Sequence, residues 1–241
     1  MSRTSPMMEQ YRTVKEQHPD KLLMFQVGDF YEFFFEDARV AAREMEIALT
    51  TRDGGSENPI PLAGVPIHAA ETYLNKLLGK GYKVVICDQI GNAAQAKGLV
   101  KRDITRILTP GTITDTQMLE ESRNNYLAVV LQSGEDQYYS LAAIDVSTGE
   151  FRITEQQGEN AWDTITDELR RLEPAELLCS NARLADIFNN QNKHNGKNLI
   201  DVISELPTAE EAKAAIIEHW NSETWDQLQL DRYPMAAAAG A

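Results

Sequence analysis

Between residues 28 and 35 the chain reads Gly28-Asp29-Phe30-Tyr31-Glu32-Phe33-Phe34-Phe35, five aromatic side chains in six consecutive positions. The apolar stripe of an amphipathic helix covers only part of its circumference, so a helix cannot bury all five rings on one side. At least one ring must face solvent or a partner. The flanking residues predict a helix from about Phe30 to Met45, with Asp29 as its N-cap after the break at Gly28. Composition leaves two readings of the surplus ring. It meets a second domain, or it projects as a wedge of the kind that pries base steps apart from the minor groove. Inside a helix, positions i and i+2 do not share a face. Phe30 and Glu32 therefore both point outward only if Phe30 stands at the helix entrance.

The surrounding text predicts a compact α/β unit. Residues 7–17 read as a helix with Met8, Tyr11 and Val14 at near-helical spacing, ended by Pro19. Residues 22–27 form a short apolar run suited to a buried strand, and 47–51 a further strand. Residues 52–59 are a flexible loop on composition, and Pro61, Gly64 and Pro66 stiffen the path that follows. A helix over 68–78, a strand over 83–89, a polar loop over 91–98 and a strand over 100–108 complete the unit, closed by Pro110-Gly111. The polar stretch 114–125 is the expected junction, giving domains over 1–115 and 126–241 with a linker over 116–125.

The second half predicts a meander of strands over 126–131, 138–146 and 150–154. A helix over 162–172, a parallel-type strand over 175–179, a short helix over 184–188 and a helix over 210–219 follow. Residues 189–198 are Asn-rich, which predicts mobility, and the alanine run at 236–239 reads as the opening of a helix, so the chain is expected to stop in mid-element.

Charge separates the halves. The net charge is −14, but residues 1–115 carry only −1 and residues 116–241 carry −13. An acidic balance argues against nucleic-acid binding, and here that argument applies only to the second half. Cys87 and Cys179 are the only cysteines and form no CxxC pair, so zinc and redox motifs are not indicated and buried thiols are expected. No apolar run approaches the ~18 residues that span a bilayer, and the first residues lack the apolar core of a signal peptide. A cytoplasmic location is expected.

Two further segments carry chemistry. Residues 97–106 hold four cations, Lys97, Lys101, Arg102 and Arg106, against the single acid Asp103. Such a stretch suits phosphate contacts, or equally a strand edge protected by lysines. The segment Ile60-Pro61-Leu62-Ala63-Gly64-Val65-Pro66-Ile67-His68 fixes a bent, rigid path before a helix.

Taken together, GDFYEFF at 28–34, IPLAGVPIHAAETYL at 60–74, ICDQIG at 86–91 and KGLVKRDITRILTPGT at 97–112 resemble the N-terminal region of the MutS family of DNA mismatch-repair proteins. AAIDVSTGEF at 142–151 resembles the opening strands of that family's connector domain. Ile67 departs from the pattern, which usually has Tyr beside the His. The resemblance implies a mixed-sheet α/β mismatch-recognition domain followed by a ribonuclease-H-like α/β connector. It implies that Phe30 stacks on a mispaired or unpaired base of double-stranded DNA and that Glu32 hydrogen-bonds to it. Lys97, Lys101, Arg102, Arg106 and the loop around Gly54 to Asn58 are then the supporting DNA contacts. The connector is expected to meet MutL and to relay to ATPase and clamp domains, and the full-length protein to form a homodimer.

The chain contains no GxxxxGK[ST] phosphate loop. No cofactor is expected within these residues, ATP and magnesium belonging to an ATPase domain elsewhere, and no enzymatic activity is expected of this part. A rival reading places a metal-dependent nuclease on the second half, with Asp145 on the first-strand hairpin and Glu150 and Asp167 or Glu168 as companions. Two-metal chemistry needs several converging carboxylates. The alternative for Asp145 is a turn cap in Asp-Val-Ser-Thr-Gly.

Overall fold

The structure is a computed structural model and describes residues 5–52, 55, 58–91, 99–115, 118–119, 123–133, 137–191, 200–203, 207–219, 225, 230–232 and 240. The chain divides into two compact units, Met1–Thr109 and Pro110–Ala241. No described helix is long and apolar enough to cross a membrane.

The first unit is built on a six-stranded mixed sheet. Helix α1 (Pro6–Gln17) is capped by Ser5, whose hydroxyl accepts from the Met8 N–H, and carries Pro6 at its first position. Strands β1 (Leu22–Val27) and β2 (Phe30–Phe34), helix α2 (Phe35–Met45) and strands β3 (Thr50–Arg52) and β4 (Ile60–Pro66) follow. Helix α3 (Ala70–Gly79) and strands β5 (Val84–Gln89) and β6 (Arg102–Leu108) complete the unit. The sheet order is β3-β4-β2-β1-β5-β6, with β1 and β5 parallel and the other pairs antiparallel.

The expected helix over residues 30–45 divides in two, and this is the main correction to the sequence reading. Phe30–Phe34 is a strand, and the helix begins only at Phe35. Asp29 is not an N-cap. It sits with Gly28 in the two-residue turn of the β1–β2 hairpin, where Val27 pairs with Phe30. Gly28 has φ 60°, the positive value that two-residue hairpin turns need. Aromatic residues fit a pleated, half-buried surface, and the hairpin offers that surface on both sides at once. The proline-stiffened segment 60–66 is likewise a strand, paired with β2 and β3.

Strand geometry solves the problem of the five rings. Side chains two apart share a face. Leu23, Phe25, Phe34, Val85 and Cys87 lie on one face and pack against Met7, Met8 and Tyr11 of α1. Tyr11 meets Phe25 and Phe34 edge-on, at centroid distances of 5.5 and 5.0 Å. Tyr31 and Phe33 point to the opposite face, which α2 and α3 cover. Phe35 has φ 55°, a left-handed backbone that a bulky residue adopts only under strain. That twist breaks the alternation, so that Phe34 and Phe35 both reach Tyr11. Four rings are thereby packed, and Phe30 is left.

The second unit has a five-stranded sheet in the order β11-β10-β7-β8-β9. Strands β7 (Tyr126–Ser133), β8 (Tyr138–Asp145) and β9 (Glu150–Gln157) form the expected antiparallel meander. Helix α4 (Ala161–Leu172) crosses to β10 (Glu176–Cys179), which lies parallel to β7. Helix α5 (Ala182–Gln191) crosses to β11 (Ile200–Val202), parallel to β10, and α6 (Ala209–His219) follows. Three antiparallel strands and two parallel ones, ordered 3-2-1-4-5 in this unit, make the ribonuclease-H-like arrangement. Strand β11 had no counterpart in the sequence reading. The alanine run and most of the Asn-rich stretch lie outside the described residues.

Candidate nucleic-acid interface

Phe30 opens β2, between Val27 of β1 and Pro66 of β4, and is 47% exposed. Helix α1 covers the other end of the same sheet face, so among the described residues no element packs over this ring as α1 does over Phe34. The position is fixed nonetheless. The Ile67 N–H donates to the Asp29 carbonyl at 3.0 Å, locking the hairpin turn to the end of β4. Ile67 is itself exposed and stands beside the residue opposite Phe30, so the end of the sheet presents two apolar side chains.

Glu32 is two residues along and on the same face, which a helix would not have allowed. It stands opposite Phe25 and Gly64 and is half-buried. Burial raises the affinity of its carboxyl for a proton; Arg52 and Arg102 oppose the rise without cancelling it. Arg52 Nη1 lies 3.3 Å from Glu32 Oε2. A Cβ at Gly64 would stand 3.3 Å from the Tyr31 carbonyl oxygen and 3.6 Å from Glu32 Cγ. Glycine therefore leaves space for Glu32 where a side chain would crowd it.

The four basic residues do not form one patch. Arg102 shares the face of Phe30 and Glu32, but its guanidinium serves the fold. Nε donates to the Gln26 carbonyl at 2.6 Å, Nη1 donates to Gln10 Oε1 at 3.2 Å, and the group lies 4.9 Å over the Phe25 ring. Arg106 stands on the opposite face, where the Tyr31 hydroxyl donates to Asp88 at 2.6 Å. Burial first, then Asp88, pushes the Tyr31 hydroxyl up to about 12, and Arg106 counters part of that. Lys101 is at the same end of the sheet as Phe30, highly exposed and 3.3 Å from the equally exposed Asp103. Such a pair is worth roughly 0–1 kcal/mol and separates easily. Lys97 lies outside the described residues, as does most of the loop at 54–58.

Neither Arg52 nor the role of Gly64 is legible in the sequence. Composition places Arg52 at the start of a loop, and no local pattern ties it to Glu32, which is two strands away in the sheet.

Both halves of the chain match known family models. Residues 5–117 match the family model of MutS domain I, and residues 125–241 that of MutS domain II. The chain belongs to the MutS family. The DNA mismatch repair protein MutS of Syntrophomonas wolfei is 42% identical over all of this chain and 28% of its own length. That of Acetivibrio thermocellus is 47% identical over 80% of the chain and 21% of its own length, and that of Halothermothrix orenii 40% over 99% and 26%. The chain thus spans about a quarter of the length of these MutS relatives.

In the MutS domain II unit, Asp145 caps its turn. Its side chain is buried and accepts from the Ser147 N–H at 2.9 Å, the Ser147 hydroxyl at 2.6 Å, the Thr148 N–H at 3.3 Å and the Asn125 N–H at 3.0 Å. Burial works to raise its carboxyl, but these donors outweigh it and hold it below the ordinary aspartate range. Glu150 is engaged by Tyr126, Asn124 and Arg152, Asp167 by Arg170 and Glu168 by Arg171. Among the described residues no group of three metal-ligating side chains converges.

Proposed function

We propose that this chain reads mispaired or unpaired bases in double-stranded DNA, as the recognition and connector domains of a mismatch-repair protein. Phe30 enters from the minor groove and stacks on the displaced base, and Glu32 hydrogen-bonds to it. The observation that carries this reading is the pairing of an exposed ring with a half-buried carboxylate at an end of a sheet face that no described element covers. Unstacking and kinking a duplex costs a few kcal/mol per step. A mismatch has already lost part of that energy, so the wedge selects by deformability rather than by sequence. Glu32 adds a second test, since in the minor groove paired bases present mainly acceptors, the guanine amino group being the one donor, whereas a displaced base frees its pairing donors.

A docking role for the aromatics is less well supported. Four of the five rings are spent in the first unit's own packing, and a stable protein interface needs roughly 800 Å² per partner. Lys97 and Lys101 are assigned to phosphates, with Arg102 and Arg106 as secondary contacts. MutL binding by the connector, homodimer formation, and ATP with magnesium in an ATPase domain outside these residues complete the proposal. It places the protein in the cytoplasm, at the nucleoid.

Competition binding of G·T, single-base-bulge and matched duplexes at low salt tests it, where phosphate attraction is strongest. Phe30→Ala is expected to lower the preference for the lesion roughly tenfold, the worth of about one base–aromatic stack. An unchanged preference overturns the wedge assignment.

A further inference from the structure

Glu32 stands between two guanidinium groups of different standing. Arg102, from β6, is held by Gln26, Gln10 and the Phe25 ring. Arg52, from the edge strand β3, makes its one charged hydrogen bond among the described residues to Glu32. It reaches diagonally over β4, passing 5.9 Å from the Phe34 ring, to the register position where Gly64 leaves room. The contact is partly shielded, with Arg52 at 33% and Glu32 at 19% side-chain exposure. Screening by solvent is weaker there than at a fully exposed pair.

The carboxylate needs this support. Burial favours its neutral form, and the charges that resist neutralisation are Arg52 on β3 and Arg102 on β6. The charged form is the discriminating one. Against a paired base in the minor groove a carboxylate faces mostly acceptors, with the guanine amino group as the one donor, and it loses its water, whereas a neutral carboxyl is far cheaper to bury.

We propose that Arg52 is the positioning residue of the probe, holding Glu32 pinned to the sheet beside Phe30 in its charged form so that matched DNA is rejected. This rests on the assignment of Glu32 as the discriminator. Arg52 acts through Glu32 and need not touch DNA. A phosphate contact at the same residue has a different signature: its loss weakens matched and mismatched binding alike and lowers the salt slope by about one contact.

The test is competition binding of matched and G·T duplexes by the 241-residue chain carrying Arg52→Gln, Arg52→Lys, Glu32→Gln and the double change Arg52→Gln/Glu32→Gln, each across pH. Arg52→Gln is expected to lower the G·T-to-matched ratio about fivefold, the scale of one partly shielded ion pair. Its ratio should collapse at a higher pH than that of the unmodified chain. Arg52→Lys should keep most of the ratio, and adding Arg52→Gln to Glu32→Gln should change nothing further. An equal loss on both duplexes, an additive double variant, or an unshifted pH profile overturns the proposal. If Glu32→Gln alone leaves the ratio unchanged, the discriminator assignment falls instead. Thermal melts of each variant separate these outcomes from misfolding.

Discussion

Phe30 and Phe34 lie on one strand and one sheet face, four residues apart, and their truncation should separate packing from function. Phe34 is fully buried, edge-on to Tyr11 at 5.0 Å and in contact with the α1 cluster. Phe34→Ala removes that ring from a site closed by α1, β1 and β4, and buried Phe→Ala changes cost about 3–5 kcal/mol. Phe30 is 47% exposed, so it keeps little more than half of the burial worth ~1.5–3 kcal/mol. Its loss should cost roughly 1 kcal/mol on the same scale. All three tryptophans, Trp162, Trp220 and Trp225, belong to the second unit, so their fluorescence does not report on this one. Hydrogen exchange of the β1 and β5 amides in urea does, because those central strands open only with the unit. The expected result is a large loss of protection for Phe34→Ala and a small one for Phe30→Ala, with the DNA effects reversed. Equal losses would refute the reasoning, since Phe30 would then be a core residue and the β1–β2 register wrong.

Two other outcomes rest on contacts at Gly64 and Asp145. Gly64→Ala places a methyl 3.3 Å from the Tyr31 carbonyl oxygen and 3.6 Å from Glu32 Cγ. The gain of ~0.4–1 kcal/mol from a stiffer unfolded chain roughly offsets the crowding, so the melting temperature should barely move while G·T selectivity drops in the binding assay. Asp145→Asn loses an anionic turn cap and should destabilise the second unit by about 1–3 kcal/mol at neutral pH. The folded carboxyl is held low, so its contribution is complete above the unfolded aspartate value of ~3.9 and is lost as pH falls through the folded one. Thermal melts of the two proteins should therefore converge in acid, and a constant difference down to pH 2 would contradict the cap.

The sequence by itself determined a good deal. The charge break between the halves, the meander over β7 to β9, the α1 pattern of Met8 and Tyr11, and the family text around Phe30 were all legible, because each is written in neighbouring residues. It also singled out Phe30 and Glu32 by family resemblance, and Asp145 as a turn residue from its local motif. What it could not decide was the state of residues 30–34. A short apolar run has no period that separates a buried helix from a strand, and only pairing with β1 and β4 made it a strand. That choice sets Phe30 and Glu32 on one face, sends Arg106 to the other, and ties Arg102 into the fold. The grip of Arg52 on Glu32 and the space at Gly64 come from strands that meet only in the sheet, so tertiary structure alone could supply them.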